Sequence, residues 1–316
     1  MFDVFVNLKR FDVSAEYDGI CPLRDPAEWA TQVIDGSVRL GLGNMIDARL
    51  VYFMPEAMLV PTRTRLATHP AGQTRSIAIG VQGVFRGDTE QGGNFGAFTT
   101  NLPAAAARNL GATWAIIGHS EERLDKVGLI AEYDPSVNSD RSARERATIC
   151  VDRVLNQEAH RALDRSLNVV FCVGETAEER GEGPLSEQKH RIEATIRRQV
   201  RLGLEGLRAH VDAGREIVIG YEPRWAIGPG KTPPDGAYIG YAADLVQQAC
   251  REMHGFSPRV IYGGGLKTGN AAEVAAATCV SGGLVALTKF DPPIGFSPEG
   301  LAEIVEVYRS GHESAV

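Results

Sequence analysis

Short apolar runs rich in β-branched residues recur along the chain, each followed by a glycine-containing loop and a longer amphipathic stretch. Eight such runs stand out: Phe2–Asn7, Ile46–Phe53, Ser76–Gln82, Trp114–Gly118, Asn168–Val173, Glu216–Tyr221, Arg259–Tyr262 and Gly283–Leu287. Several carry apolar residues at adjacent positions, as strands buried on both faces do. Between them the clearest helical stretches are Ser142–Leu163, Glu187–Leu207, Gly236–Met253 and Pro298–Tyr308. Asn138-Ser139-Asp140 supplies capping side chains for the first of these and Asp235 for the third, and Pro298 behind Ser297 opens the last. Strands alternating with helices predict a parallel sheet with crossover helices. Length alone suggests about two domains of ~150 residues. Eight repeats point instead to one closed (β/α)8 barrel over residues 1–316. Two loops read as long, Leu8–Asp25 and Glu121–Arg141, and Arg86–Asn94 is polar and glycine-rich.

Composition narrows the function classes. The chain has 33 Lys+Arg against 40 Asp+Glu, a net charge of −7, which argues against a nucleic-acid binder with its basic stripe. The N-terminal residues lack the charged-then-apolar pattern of a signal peptide. No apolar run approaches the ~20 residues of a membrane span. The 5 cysteines are scattered and form no C-x-x-C pair, so neither a disulfide framework nor a zinc site is expected. The expectation is a reduced, cytoplasmic protein with no membrane or nucleic-acid partner.

In such a barrel, chemistry sits where strands end. The residues closing the runs are Asn7 and Lys9, His119 and Glu121, Cys172 and Glu175, Glu222, Gly263-Gly264-Gly265 and Lys289. A carboxylate, an imidazole, an ammonium and a glycine-rich turn in one cleft suit proton transfer beside a carbonyl on an anionic substrate. Glutamate serves as base, histidine as electrophile and lysine as counter-charge. The segment Gly228-Pro229-Gly230-Lys231-Thr232 imitates a nucleotide-binding loop, but Trp225 stands where that motif needs glycine. Cys172 closes an apolar strand with no histidine nearby in sequence, so it reads as a packing residue. Glu175 reads as a structural carboxylate at the barrel rim.

The segments Gly118-His119-Ser120-Glu121, Cys172-Val173-Gly174-Glu175-Thr176, Tyr221-Glu222-Pro223-Arg224-Trp225-Ala226-Ile227-Gly228-Pro229-Gly230-Lys231-Thr232 and Tyr262-Gly263-Gly264 resemble the triosephosphate isomerase family. Asn7-x-Lys9 and Gly96-Ala97-Phe98-Thr99 fit the same pattern, and the motifs follow the family's order from residue 7 to about residue 290. The resemblance implies a TIM barrel and an aldose–ketose isomerase of a short phosphorylated sugar, working through an enediol without metal or organic cofactor. It implies Glu222 as catalytic base, His119 as neutral electrophile, Lys9 as counter-charge and Asn7 as neutral donor. Glu121 is expected to pair with Lys9. Pro223–Thr232 becomes a closing lid, with the Gly228 backbone N–H on the phosphate and Gly264 and Gly265 contributing at the same end. Thr99 matches the residue that inserts into a second subunit, which implies a homodimer.

The chain departs from the family at several points. Leu8 lies between Asn7 and Lys9, and Gly265 replaces a serine. A Gly-Gly pair after the eighth strand is replaced by Ala286-Leu287-Thr288-Lys289, so Thr288 and Lys289 become phosphate-binding candidates. Arg224 occupies the variable position of the first lid hinge, and Asn101 replaces a glutamate beside the inserting loop. These changes leave open a triose phosphate, a four- or five-carbon sugar phosphate such as a tetrulose phosphate, and a non-catalytic sugar-phosphate-binding barrel.

Overall fold

The computed structural model describes residues 1–228 and 230–315. Its eight parallel strands are β1 (Phe2–Asn7), β2 (Ala48–Met54), β3 (Ile77–Val81), β4 (Trp114–Ile117), β5 (Asn168–Val173), β6 (Ile217–Tyr221), β7 (Arg259–Tyr262) and β8 (Gly282–Val285). They close in sequence order, β8 pairing back onto β1 with Phe5 opposite Leu284. The surrounding helices are α1 (Pro26–Arg39), α2 (Glu56–Leu66), α3 (Ala104–Leu110), α4 (Ser120–Tyr133), α5 (Arg141–Asp164) and α6 (Ala177–Arg180). They continue with α7 (Leu185–Gly203), α8 (Arg208–Asp212), α9 (Gly236–His254), α10 (Thr268–Ala276) and α11 (Pro298–Ala315). Asp140 and Asp235 cap α5 and α9 through their carboxylates, accepting from the Ala143 and Tyr238 N–H groups.

Alternation along each strand sorts the core into two layers. Phe5, Val51, Phe53, Trp114, Ile116, Val170, Cys172, Val218, Ile261 and Leu284 fill the barrel. Their neighbours, such as Val4, Val6, Tyr52, Ile117, Phe171 and Ile219, face the helices. Both faces are therefore buried, which is why the runs read as nearly continuous apolar sequence. The barrel floor is ionic. Asp3 is fully buried between Arg49 at 2.8 Å and Arg259 at 3.2 Å. The Arg49 guanidinium also lies 4.5 Å from the Trp114 ring centroid.

Three readings from sequence need correcting. The stretch 121–141, expected as a loop, is mostly the 14-residue helix α4 followed by a short turn at Pro135–Asn138. The helix is hard to see because its outer face carries Leu124, Leu129 and Tyr133 in solvent, which blurs the period. Its inner face packs Val127, Ile130 and Ala131 on a small cluster of Val137, Ala143 and Ala147. The second strand begins two residues late, with Ile46 left 83% exposed before it. The eighth strand stops at Val285, so Ala286 and Leu287 belong to the following loop.

Gly80 shows how tightly the interior is filled. A Cβ there would meet the Phe53 ring at 2.5 Å and the Trp114 Cβ at 3.1 Å. Gly80→Ala is expected to cost about 1–3 kcal/mol. A urea unfolding midpoint equal to that of the parent protein would show instead that the interior has room to spare.

Candidate active site

Glu222 follows the last residue of β6, one step past the outward-facing Tyr221, so its side chain turns over the barrel mouth. Glycines on both sides make room for it. A Cβ at Gly174 would lie 1.7 Å from the Glu222 carbonyl oxygen, and one at Gly263 would lie 2.6 Å from the Glu222 Cγ. The carboxylate is 2% exposed. Its Oε2 accepts the Ser120 N–H at 2.7 Å. Its Oε1 is buried without a hydrogen-bond partner among the described residues and lies 3.4 Å from His119 Nε2.

His119 is the N-cap of α4. Its Nδ1 accepts the Glu121 N–H at 3.3 Å. An acceptor at Nδ1 leaves the ring proton on Nε2, the nitrogen that faces Glu222. The same helix end thus holds both groups: the Ser120 N–H binds the carboxylate and the Glu121 N–H fixes the tautomer.

Across the mouth, Lys9 sits at φ 42°, a left-handed conformation unusual for a residue with a side chain. Asn7 Oδ1 accepts the Lys9 N–H at 3.1 Å and the Gln82 amide at 3.0 Å. The Gln82 amide also donates to the Lys9 carbonyl at 2.7 Å. With its oxygen taken, Asn7 has its NH2 left to offer. Lys9 Nζ pairs with Glu121 at 2.8 Å. Partial burial alone would raise the Glu121 pKa; the hydrogen bond and charge of Lys9, with His119 nearby, outweigh it and hold the carboxyl below its usual range. Asn7, Lys9, Gln82, His119 and Glu121 line one cleft of about 500 Å³. A larger cavity of about 690 Å³ lies between α5 and α7 and includes none of the strand-end candidates.

Sequence reasoning passed over Gln82, although it closes the third apolar run. Glu175, read from sequence as a structural carboxylate, holds a hinge in place. This carboxylate is fully buried and accepts from Trp225 Nε1 at 2.8 Å, Tyr238 OH at 2.9 Å and Tyr221 OH at 3.0 Å. Trp225 belongs to the 3-10 turn Arg224–Ala226 that opens the 223–232 loop, so Glu175 anchors that loop's first hinge. The Arg180 guanidinium covers the Trp225 ring at 3.8 Å. The signal was available in Tyr221 and Trp225, two donors flanking Glu222. Arg224 is half-buried in the same turn, and Gly228 is exposed at φ 119°. Pro229 lies outside the described residues. Cys172 is fully buried, and burial followed by the neighbouring Glu222 charge pushes its thiol well up, consistent with a packing role.

The remaining candidates are dispersed. Gly264 and Gly265 form a turn past β7 in which a Cβ at Gly265 would meet nothing within 4 Å. Thr288 is committed to the loop after β8, its hydroxyl accepting the Ser297 N–H at 2.8 Å. Lys289 is exposed and lines a neighbouring cavity of about 610 Å³ with Ile20, Pro292 and Phe296, which shares Asp18, Gly19 and Ile20 with the cleft of His119 and Lys9. Thr99 is exposed on the 86–101 segment.

Burial outweighs the three hydrogen bonds and raises Glu175 above its ordinary 4.5. The folded protein then holds this proton at pH values where the unfolded chain has released it, so the carboxyl subtracts stability as pH rises through that window. Glu175→Gln removes the titration. The stability advantage of the parent over the variant is expected to shrink from about pH 4 to about pH 7 in urea titrations. An advantage that grows over that range would contradict this account of Glu175.

The triosephosphate isomerase family model matches residues 46–294. The triosephosphate isomerase of Oleidesulfovibrio alaskensis is 34% identical over 253 residues, covering 79% of this chain and 85% of that protein. That of Moorella thermoacetica is 32% identical over 240 residues, covering 75% and 81%. The crystal structure of triosephosphate isomerase from Bartonella henselae superposes with a TM-score of 0.64 over 98% of this chain and 99% of that one, at 19% identity, a likeness of fold. With the motifs, the closed barrel and these relatives in agreement, the chain belongs to the triosephosphate isomerase family, as a divergent member.

Proposed function

We propose that the protein, as one barrel over residues 1–316, is an aldose–ketose isomerase interconverting glyceraldehyde 3-phosphate and dihydroxyacetone phosphate in the cytoplasm. The observation that carries this reading is the buried Glu222 oxygen, without a hydrogen-bond partner among the described residues, 3.4 Å from the Nε2 of His119, which itself lines the cleft of Asn7 and Lys9. Glu222 takes the proton from the carbon beside the carbonyl. His119 Nε2–H donates to the carbonyl oxygen, which becomes an enediol hydroxyl. The second hydroxyl then gives its proton back to His119 Nε2 as its oxygen forms the new carbonyl, and Glu222 delivers its proton to the former carbonyl carbon, which restores both residues with no net gain or loss of atoms. A neutral imidazole suits the task, because a cation would trap the enediolate as an ion pair.

Lys9 and the Asn7 NH2 meet the developing negative charge. Phosphate falls to the bare backbone of Gly228, Gly264 and Gly265, with Lys289 as the charge on the last loop and Thr288 shaping it. Glu222 is directly followed by Pro223, so movement of the 223–232 loop carries the carboxylate off the Ser120 N–H and excludes water from the enediol. Pairing of two copies through the 86–101 segment belongs to the same reading. Phe95 is 92% exposed there, beside the exposed Thr99, while Phe98 is pinned on Phe85 at 5.7 Å between ring centroids.

The test is turnover of glyceraldehyde 3-phosphate within a panel of three- to five-carbon sugar phosphates. Glu222→Gln is expected to lower kcat by about 10²–10⁴-fold with little change in KM. Normal turnover in this variant would remove Glu222 as the base, and binding without solvent-deuterium exchange into the ketose would point to a non-catalytic barrel. Thr99→Arg is expected to shift sedimentation from dimer to monomer. A parent protein that sediments as a monomer would sink the pairing.

A further inference from the structure

The peptide of Gly118, immediately before His119, is held at both ends by consecutive residues of α4. Its N–H donates to Glu122 Oε2 at 2.6 Å, and its carbonyl accepts from Arg123 Nε at 2.8 Å. Each of these residues is in turn seated on α5. Arg123 donates to Asp152 at 2.6 Å and to the Cys172 carbonyl at 2.8 Å. Glu122 Oε1 accepts from Lys126 at 2.7 Å, and the same ammonium lies 3.1 Å from Glu158. Gly118 itself is at φ 77°, so its turn rests on these contacts and not on helical or strand geometry.

We infer that Glu122 and Lys126, seated on Glu158, are a positioning chain that sets where His119 points. The inference rests on the reading of His119 as the electrophile. Three features favour positioning over a chance surface pairing. The Glu158 side chain is 4% exposed, and Glu122 and Lys126 are 19% and 22% exposed. Glu122 binds the backbone one residue from the imidazole, so any slack passes straight to the ring. Charge is also balanced. Burial, and then the Glu122 charge, pushes the Glu158 carboxyl up, so the Lys126 ammonium leans first on Glu122, at 2.7 Å, with Glu158 behind it at 3.1 Å. His119 is therefore fixed from two directions: the Glu121 N–H sets its tautomer, and Glu122 sets the turn beneath it.

Side-chain nitrogen resonances of His119 in the ligand-free protein, read together with kcat and KM, test the chain. Glu122→Ala is expected to displace the His119 signals and lower kcat about tenfold, with KM nearly unchanged. Glu122→Gln, which keeps an acceptor for Gly118, is expected to restore most of both. Should Glu122→Ala fail to fold, Lys126→Met and Glu158→Leu decide, each with a smaller change in the same direction. Folded variants whose His119 signals and kcat match the parent, with only a lower melting temperature, would overturn the inference. The resonance shift is read without substrate. His119 signals displaced in Glu122→Ala, beside a parent protein that turns over no sugar phosphate, would count against the isomerase reading and leave the positioning chain standing.

Discussion

Closure of the barrel is the constraint on which the rest depends. Every strand is paired along both edges, and both of its faces are packed, one on the helices and one on the barrel axis. Ten side chains fill the interior, so no chemistry can sit within it. Polar groups are left with the two ends, and the ends are treated differently. At the floor, the carboxylates of Asp3 and Glu216 lie within 3.2 Å of the Arg49 and Arg259 guanidinium groups, so each charge faces an opposite one. At the mouth, Glu222 retains a buried oxygen with no partner, and Asn7 retains an unspent amide donor. Charges are paired at the floor, whereas Glu222 at the mouth has no lysine or arginine against it among the described residues, and that asymmetry sets the two ends apart.

The start of α4 is the second organising element. Helix ends leave backbone N–H groups without internal partners. Here two of them are taken by the two groups proposed to exchange protons with substrate, Ser120 N–H by Glu222 and Glu121 N–H by His119. The helix end does for both what separate side chains would otherwise have to do. It also explains why α4 tolerates so much exposed apolar surface. Its first turn is tied down by backbone donors and by Arg123 and Glu122, and Leu124, Leu129 and Tyr133 stay in solvent without loosening it.

Much of this was legible in the sequence. Strands buried on both faces leave dense apolar runs, so all eight strands could be placed to within a few residues, and the strand-end rule drew out Asn7, Lys9, His119 and Glu222. The failures have physical causes. Helix α4 has a weak apolar stripe, and the short fourth strand beside it blurs the boundary. Gln82 and Glu175 act by hydrogen bonds to residues far off in the chain, Lys9 and Tyr238 among them, and such partners have no local period to betray them. The loop after β8 could be seen to differ from the family but its course could not, because it is set by bonds of Thr288 and Lys289 to Gly295 and Ser297 across the loop.

The backbone of Lys9 shows a tension between folding and function. Left-handed φ at a lysine costs about 1–3 kcal/mol, and Asn7 and Gln82 offset part of it. Selection for thermal robustness alone would favour glycine or asparagine at this position, since both accept that conformation readily. Laboratory evolution toward a hardier protein would therefore tend to erase the ammonium first, unless turnover is selected in the same round.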